Sequence, residues 1–301
     1  MQQQRQLIGH LSAFGAYTIF GFNIIICKNI ANLHLISPMG LFTLRSLGAS
    51  VLFWLLSMCV KKEKVAKQDY WQIFLASMIG LLLTQYTFLK GITMITSLDA
   101  SIISPITPVF TMLVAAVALK EPITWKKAGG VLLSFLGVIL LIFNSVSLGG
   151  GAIATQPMGV VLLVSNCLLF ASYLGIFRPL INRYSVVTFM KWMFLFSFLV
   201  SMPFSTRELL TISYKTIPIN YYLEVGYLIL FATFVAYFLI PVGQKHLRPT
   251  LVSMYTYVQP LIASIMSIYL GMDSLTWQKL LAALAIVTGV VLVNRSRARV
   301  Q

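Results

Sequence analysis

The sequence has 301 residues, of which 58% are hydrophobic and only 10% charged, with a mean hydropathy of +0.88. A water-soluble core does not need that much apolar sequence, so an ordinary soluble domain is excluded. The excess of 22 Lys and Arg over 7 Asp and Glu, a net charge of +15, raises nucleic acid as a partner only until the charges are placed along the chain.

A bilayer crossing takes about 20 consecutive apolar residues. The first such block is Leu7–Cys27, which is too long for a signal-peptide core and has no small-x-small cleavage site after it. It reads as a retained span. Pro38–Val60, Tyr70–Leu89 and Ala100–Leu119 follow. Between Ala128 and Phe177 there is no charge at all, a run too long for one helix. The Gly-rich, Pro-ended stretch SVSLGGGAIATQP divides it into Ala128–Leu148 and Pro157–Phe177. Ser185–Phe204, Val225–Gln244, Pro249–Met272 and Leu275–Asn294 complete the set. The expected fold is an all-α integral membrane protein with ten transmembrane helices.

With the N-terminus in the cytoplasm, fifteen basic residues fall in inside segments, among them Lys61, Lys62, Lys64 and Lys67, and Lys120, Lys126 and Lys127. Only Lys28, Lys90, Arg207, Lys215 and Lys279 fall outside. This asymmetry predicts both termini in the cytoplasm, in the plasma (cytoplasmic) membrane, with the bilayer as partner and no nucleic acid. Cys27, Cys59 and Cys167 have no metal or redox spacing and read as buried apolar residues. His10, His34 and His246 are scattered. No metal or cofactor is expected, and a homo-oligomer is left open.

A short phrase is written twice. KEPITWKK (120–127) and MDSLTWQK (272–279) share Thr-Trp-x-Lys and an acid, Glu121 or Asp273, at an offset of 152 residues. The same offset lays Gly91 on Gly243, Ser101 on Ser253, Pro108 on Pro260 and Gly137 on Gly289. With a small gap, Phe20 meets Phe170, Lys28 meets Arg178 and Asn32 meets Asn182. Each half holds five spans, and five is odd, so the second half enters the membrane upside down. The expected organisation is two inverted five-helix repeats, 1–148 and 152–301. Inverted repeats are the construction of secondary transporters, with the substrate near the midplane where the halves meet.

FLKGITMITSLDASIISPITPVFTMLVAAVALKEPITWKKAGGVLLSFLGVILL resembles the repeat unit of the EamA branch of the drug/metabolite transporter superfamily. IFGFNIIICKNIA resembles that family's first span and SPMGLFTLRSLGAS its second, Arg45 included. Two departures are Phe20, where Trp is common, and Ser274, where Pro or Arg is usual. The resemblance covers essentially the whole chain. It implies ten spans, cytoplasmic termini, and export or exchange of small metabolites, amino acids among them.

Proline within a helix removes one backbone hydrogen bond and frees the carbonyl four residues earlier. Pro108 would free that of Ser104 and Pro260 that of Thr256, at repeat-related positions. Such breaks line a cavity or let helices approach closely, and both readings stand. Other polar side chains at membrane depth are Asn23, Gln85, Tyr86, Asn166, Tyr173, Tyr237 and Gln259, each a candidate for the substrate cavity or for interhelical bonding. Arg45 lies seven residues past Pro38, ~10 Å along the helix. An intramembrane Arg is by default functional; its partner is a carboxylate-bearing substrate, freed carbonyls, or the surface reached by snorkelling. Lys191 reads as a snorkelling residue and the Thr-Trp pairs as interface anchors. All seven acids fall in loops or near span ends, which predicts facilitated or exchange transport rather than proton pumping. The competing functions are a non-transporting receptor or scaffold and a membrane-embedded transferase. The second would need a cluster of His, Asp, Glu or Cys, which the sequence lacks.

Overall fold

In lipid a spanning segment must satisfy its own backbone donors and acceptors, which leaves helices as the solution for apolar blocks of this length. The computed structural model describes residues 2–119, 125–147, 155–212, 217–271 and 276–295, and among these every regular element is helical. Eight segments are long and apolar enough to cross a bilayer: Gln6–Asn32, Pro38–Met58, Lys67–Ile92, Ser97–Val114, Pro157–Ile176, Val186–Thr211, Ile219–His246 and Leu251–Tyr269. Two more helices, Trp125–Ser147 and Trp277–Arg295, contain the shorter apolar stretches Ala128–Gly137 and Leu280–Gly289. In chain order these are spans one to ten of an all-α membrane protein made of two inverted five-helix repeats.

The repeat is visible in which spans touch. Span one packs on spans eight and nine, and span six packs on their counterparts, spans three and four. Spans two and seven pair with each other, as do four and nine, and five and ten. The halves therefore interleave. Without a hydrophobic force between helices in lipid, close packing at small residues carries association. Two repeat-related crossings show it. A Cβ on Gly91 would lie 3.3 Å from the Gly159 carbonyl oxygen, and one on Gly159 would lie 3.2 Å from that of Gly91. At the equivalent crossing a Cβ on Gly243 would lie 3.5 Å from the Gly9 carbonyl oxygen.

Spans four and nine do break where the prolines predict. A 3₁₀ turn occupies Ser104–Ile106 in one and Tyr255–Tyr257 in the other. The Ser104 carbonyl freed by Pro108 is taken by the Thr107 amide and by its hydroxyl at 2.9 Å. A second pair of irregularities has no proline behind it. Spans three and eight each contain a π-helical stretch, Met78–Leu83 and Leu228–Val235. In each, a threonine hydroxyl bonds the carbonyl five residues earlier, Thr84 to Ile79 at 2.5 Å and Thr233 to Leu228 at 2.6 Å. π-bulges are rare and concentrate at functional sites.

Helices also run past their apolar blocks. Span three starts at Lys67, and Asp69 in its first turn accepts both bonds of Arg183 (2.9 and 2.7 Å) and the Tyr184 hydroxyl (2.5 Å). Arg183 ends a short helix, Arg178–Arg183, which the apolar pattern does not predict; Pro179 sits in its first turn, where its missing N–H costs nothing. Spans two and seven are joined at both ends by one device. Ser37 caps span two, and its N–H donates to Glu208 at 2.5 Å. Ser185 caps span seven, and its N–H donates to Glu63 at 2.9 Å. Glu208 comes from the far end of span seven and Glu63 from the loop that follows span two, and each meets the positive end of a helix dipole. Burial works against ionisation of Glu63, but the bonds from Ser185 and Thr188 outweigh it and hold the carboxyl below the usual range.

One expectation is corrected, and others fall outside the described residues. Cys27 and Cys167 are buried, but Cys59 is exposed because it lies just past the last turn of span two. Asp99 and Glu208 do lie at span ends: Asp99, in the first turn of span four, is 2% exposed and accepts from the Thr155 hydroxyl, and Glu208 lies in the last turn of span seven. Glu121, Thr124, Gly150, Asp273 and Ser274 lie outside the described residues. The repeat-related Trp125 and Trp277 of the two phrases both stand exposed, as interface anchors do.

Candidate functional site

The interleaved spans form a partly open cavity of about 60 Å³ lined by residues of spans one, three, four, six, eight and nine. That is well above the roughly 10–15 Å³ that a cavity needs to hold a water. Its lining is built in pairs related by the repeat. Phe20 corresponds to Phe170, Gln85 to Tyr237, Ser104 to Thr256 and Thr107 to Gln259, and all eight line the cavity. Both halves therefore contribute to the cavity wall at equivalent positions.

Gln85 and Tyr237 meet there directly: the Gln85 amide donates to the Tyr237 hydroxyl across 152 residues of sequence. The Gln85 carbonyl oxygen is buried and has no partner. Asn166 donates from its amide to the Thr84 carbonyl at 2.7 Å, next to the π stretch of span three. Asn23 accepts from the Cys27 thiol at 3.4 Å. The hydroxyls of Thr84, Ser104, Thr107 and Thr256 all donate to carbonyls of their own helices, to Ile79, Ala100, Ser104 and Ser253. With their protons so used, these oxygens offer lone pairs to the cavity. The amides of Asn23 and Gln259 and the Tyr237 hydroxyl bring donors as well, so the site can meet a solute that carries both. Phe20, Ile24, Phe88 and Phe170 supply its apolar wall, and the lining contains no Asp, Glu, His, Lys or Arg.

Of the residues singled out from sequence, Asn23, Gln85, Ser104, Asn166, Tyr237, Thr256 and Gln259 come together here. Arg45, Tyr86, Pro108, Tyr173 and Pro260 do not line the cavity. Tyr173 is fully buried because Gly80 gives its ring a slot; a Cβ there would lie 2.4 Å from Tyr173 Cδ2. Pro108 and Pro260 shape the broken helices from behind. Arg45 is 1% exposed and turns inward, its Nε donating to the Thr233 hydroxyl at 2.8 Å. Lys191 lies 4.8 Å from the centre of the Trp54 ring, a cation–π contact. Thr84, Thr107 and Cys167 were missed. Thr107 was within reach, since adding 152 to it gives Gln259, already a candidate. Thr84 and Cys167 carry no such mark.

Two inverted five-helix halves around a polar cavity at membrane depth define a polytopic membrane protein of the inverted-repeat type. The chain belongs to the EamA-like transporter family, whose model matches residues 7–143 and 157–295. It is 26% identical over 269 residues to the uncharacterized transporter YetK of Bacillus subtilis, covering 88% of this chain and 80% of that one. It is 27% identical over 210 residues to the uncharacterized transporter YcxC of the same organism, covering 67% and 65%. An uncharacterized transporter of Archaeoglobus fulgidus is 24% identical over 157 residues, about half of each chain. A crystal structure with 14% identity matches 96% of this chain and 95% of that one with a TM-score of 0.63, which shows the fold.

Proposed function

We propose that this transporter carries small polar metabolites, amino acids first among them, across the plasma membrane by alternating access between its two inverted halves. The repeats are taken as 1–148 and 152–301, with both termini in the cytoplasm and export or exchange as the direction. One observation carries the reading: the cavity is lined by four repeat-related residue pairs, so either half can open it toward its own side with equivalent walls. Its hydroxyl oxygens suit the ammonium group of an amino acid, and its amides and the Tyr237 hydroxyl suit the solute's own acceptors. The cavity lining holds no carboxylate or imidazole to carry a proton through the chemistry of transport. The solute gradient itself is then the driving force.

The test is flux of labelled amino acids and other small polar metabolites into proteoliposomes, with the membrane potential clamped and a pH gradient imposed or removed. Exchange down the solute gradient, with a rate that does not depend on the pH gradient, is expected. Accumulation that follows the proton gradient overturns the uncoupled mode. No flux above protein-free vesicles for any solute in the panel overturns transport of this class.

A further inference from the structure

Arg45 is the most deeply buried guanidinium among the described residues and is under-satisfied. The group has five N–H donors and cannot lose its charge. Nε donates to the Thr233 hydroxyl at 2.8 Å. Nη1 makes only a long contact to the Cys27 sulfur, 3.8 Å. Nη2 is buried with no partner. Both partners are neutral, and no carboxylate among the described residues lies in ion-pair range of Arg45. Snorkelling is ruled out by the 1% exposure and by the inward anchoring of Nε. A cation held in a low-dielectric interior by one hydroxyl and one thiol is costly unless an anion joins it.

The same two partners tie Arg45 to the cavity. Cys27 donates to Asn23, which lines it, one turn along span one. Thr233 lies four residues, one turn, before Tyr237, which also lines it. Thr233 is presented by the π stretch of span eight and spends its own proton on the Leu228 carbonyl, so it meets Arg45 as an acceptor. The guanidinium is thereby held by two residues that each lie one turn from the cavity lining, with its Nη2 edge unused.

We propose that Arg45 is an anion subsite, taking the carboxylate of a solute whose donor-bearing end occupies the cavity. A zwitterion fits both ends: ammonium against the carbonyl and hydroxyl oxygens, carboxylate in charge-assisted contact with the guanidinium. The inference rests on the transport reading only for where the anion comes from; binding at Arg45 does not itself require transport.

The experiment measures the thermal stability of the purified full-length protein against matched probes at constant ionic strength: acetate against acetamide, and L-alanine against L-alaninol, which keeps the ammonium and lacks the carboxylate. A ligand that binds only the folded state raises its melting temperature saturably. Acetate and alanine are expected to do so, acetamide and alaninol at least tenfold more weakly. Arg45→Gln should lose the carboxylate response at least tenfold, and Arg45→Lys, a point charge without the fork, should keep part of it. If acetate and acetamide act alike on the unaltered protein, the anion subsite is overturned, whatever becomes of the variants. An unchanged carboxylate response in Arg45→Gln also overturns it. Carboxylate binding through Arg45 with no flux in proteoliposomes leaves the subsite standing and sinks transport. Flux of solutes with an inert response to carboxylates does the reverse.

Discussion

Gly137→Ala should destabilise the protein more than most single-methyl additions in the bundle. Among the described residues, spans five and ten make the most extensive helix–helix contact, and Gly137 sits within it. A Cβ there would lie 2.8 Å from the Ala282 carbonyl oxygen and 3.0 Å from the Ile286 nitrogen. Those are backbone atoms of the facing helix, and they cannot turn aside as a side chain can. The helices must separate along their length, a cost of about 1–3 kcal/mol for overpacking of this kind. Gly91→Ala is the control. Its nearest obstacle, at 2.3 Å, is a terminal methyl of Leu163, which can swing away, and the backbone oxygen of Gly159 is at 3.3 Å. The expected order of melting temperatures in detergent is unaltered protein, then Gly91→Ala, then Gly137→Ala. Gly137→Leu should abolish the monodisperse species in size-exclusion chromatography. A Gly137→Ala protein that melts like its parent contradicts the crossing described here.

Gln85→Leu is expected to reduce transport per inserted molecule at least tenfold. The substitution keeps the volume but removes the amide that donates to Tyr237 and the carbonyl oxygen that stands unpartnered at the cavity. Leaving the Tyr237 hydroxyl buried and unpaired costs about 1–3 kcal/mol of stability, which the fold should survive. The flux loss is the larger effect, because solute and helix movement both meet this bond: tenfold corresponds to about 1.4 kcal/mol in the barrier. Tyr237→Phe breaks the same bond from the other half. The double variant should therefore cost much less than the sum of the two single ones. Transport initial rates, normalised to protein recovered in the membrane, decide it. Additive losses would mean that the two residues act separately.

Much of the architecture is legible because lipid simplifies the code. Apolar length gives the spans, and an odd number of spans per repeat gives the inversion. Proline at equivalent places marks the breaks of spans four and nine. The cavity is legible as a set of types rather than positions. Polar residues at depth named Gln85, Tyr237, Ser104 and Thr256, but the same rule named Tyr173, which a glycine slot on span three removes from the cavity. Neither π stretch is legible. Met78–Leu83 is an apolar run like any other, and the extra residue per turn comes from packing and from a hydroxyl reaching back five residues. Long-range partners are hidden for the same reason: Thr233 meets Arg45 across 188 residues, and Glu208 meets Ser37 across 171. Charges at span ends look like loop decoration until the helix they cap is known.

Alternation can be tested without knowing the solute. In a background with Cys27, Cys59 and Cys167 replaced by serine, Ser104→Cys and the repeat-related Thr256→Cys place one thiol each in the cavity wall. A small membrane-impermeant thiol reagent is then applied to right-side-out vesicles and, separately, to inside-out ones. Two halves that open a shared cavity toward opposite sides predict labelling of each position from both faces, since each spends part of its time open to either side. Labelling of both cysteines from one face alone, and never from the other, would contradict alternating access and leave a one-sided pocket in its place.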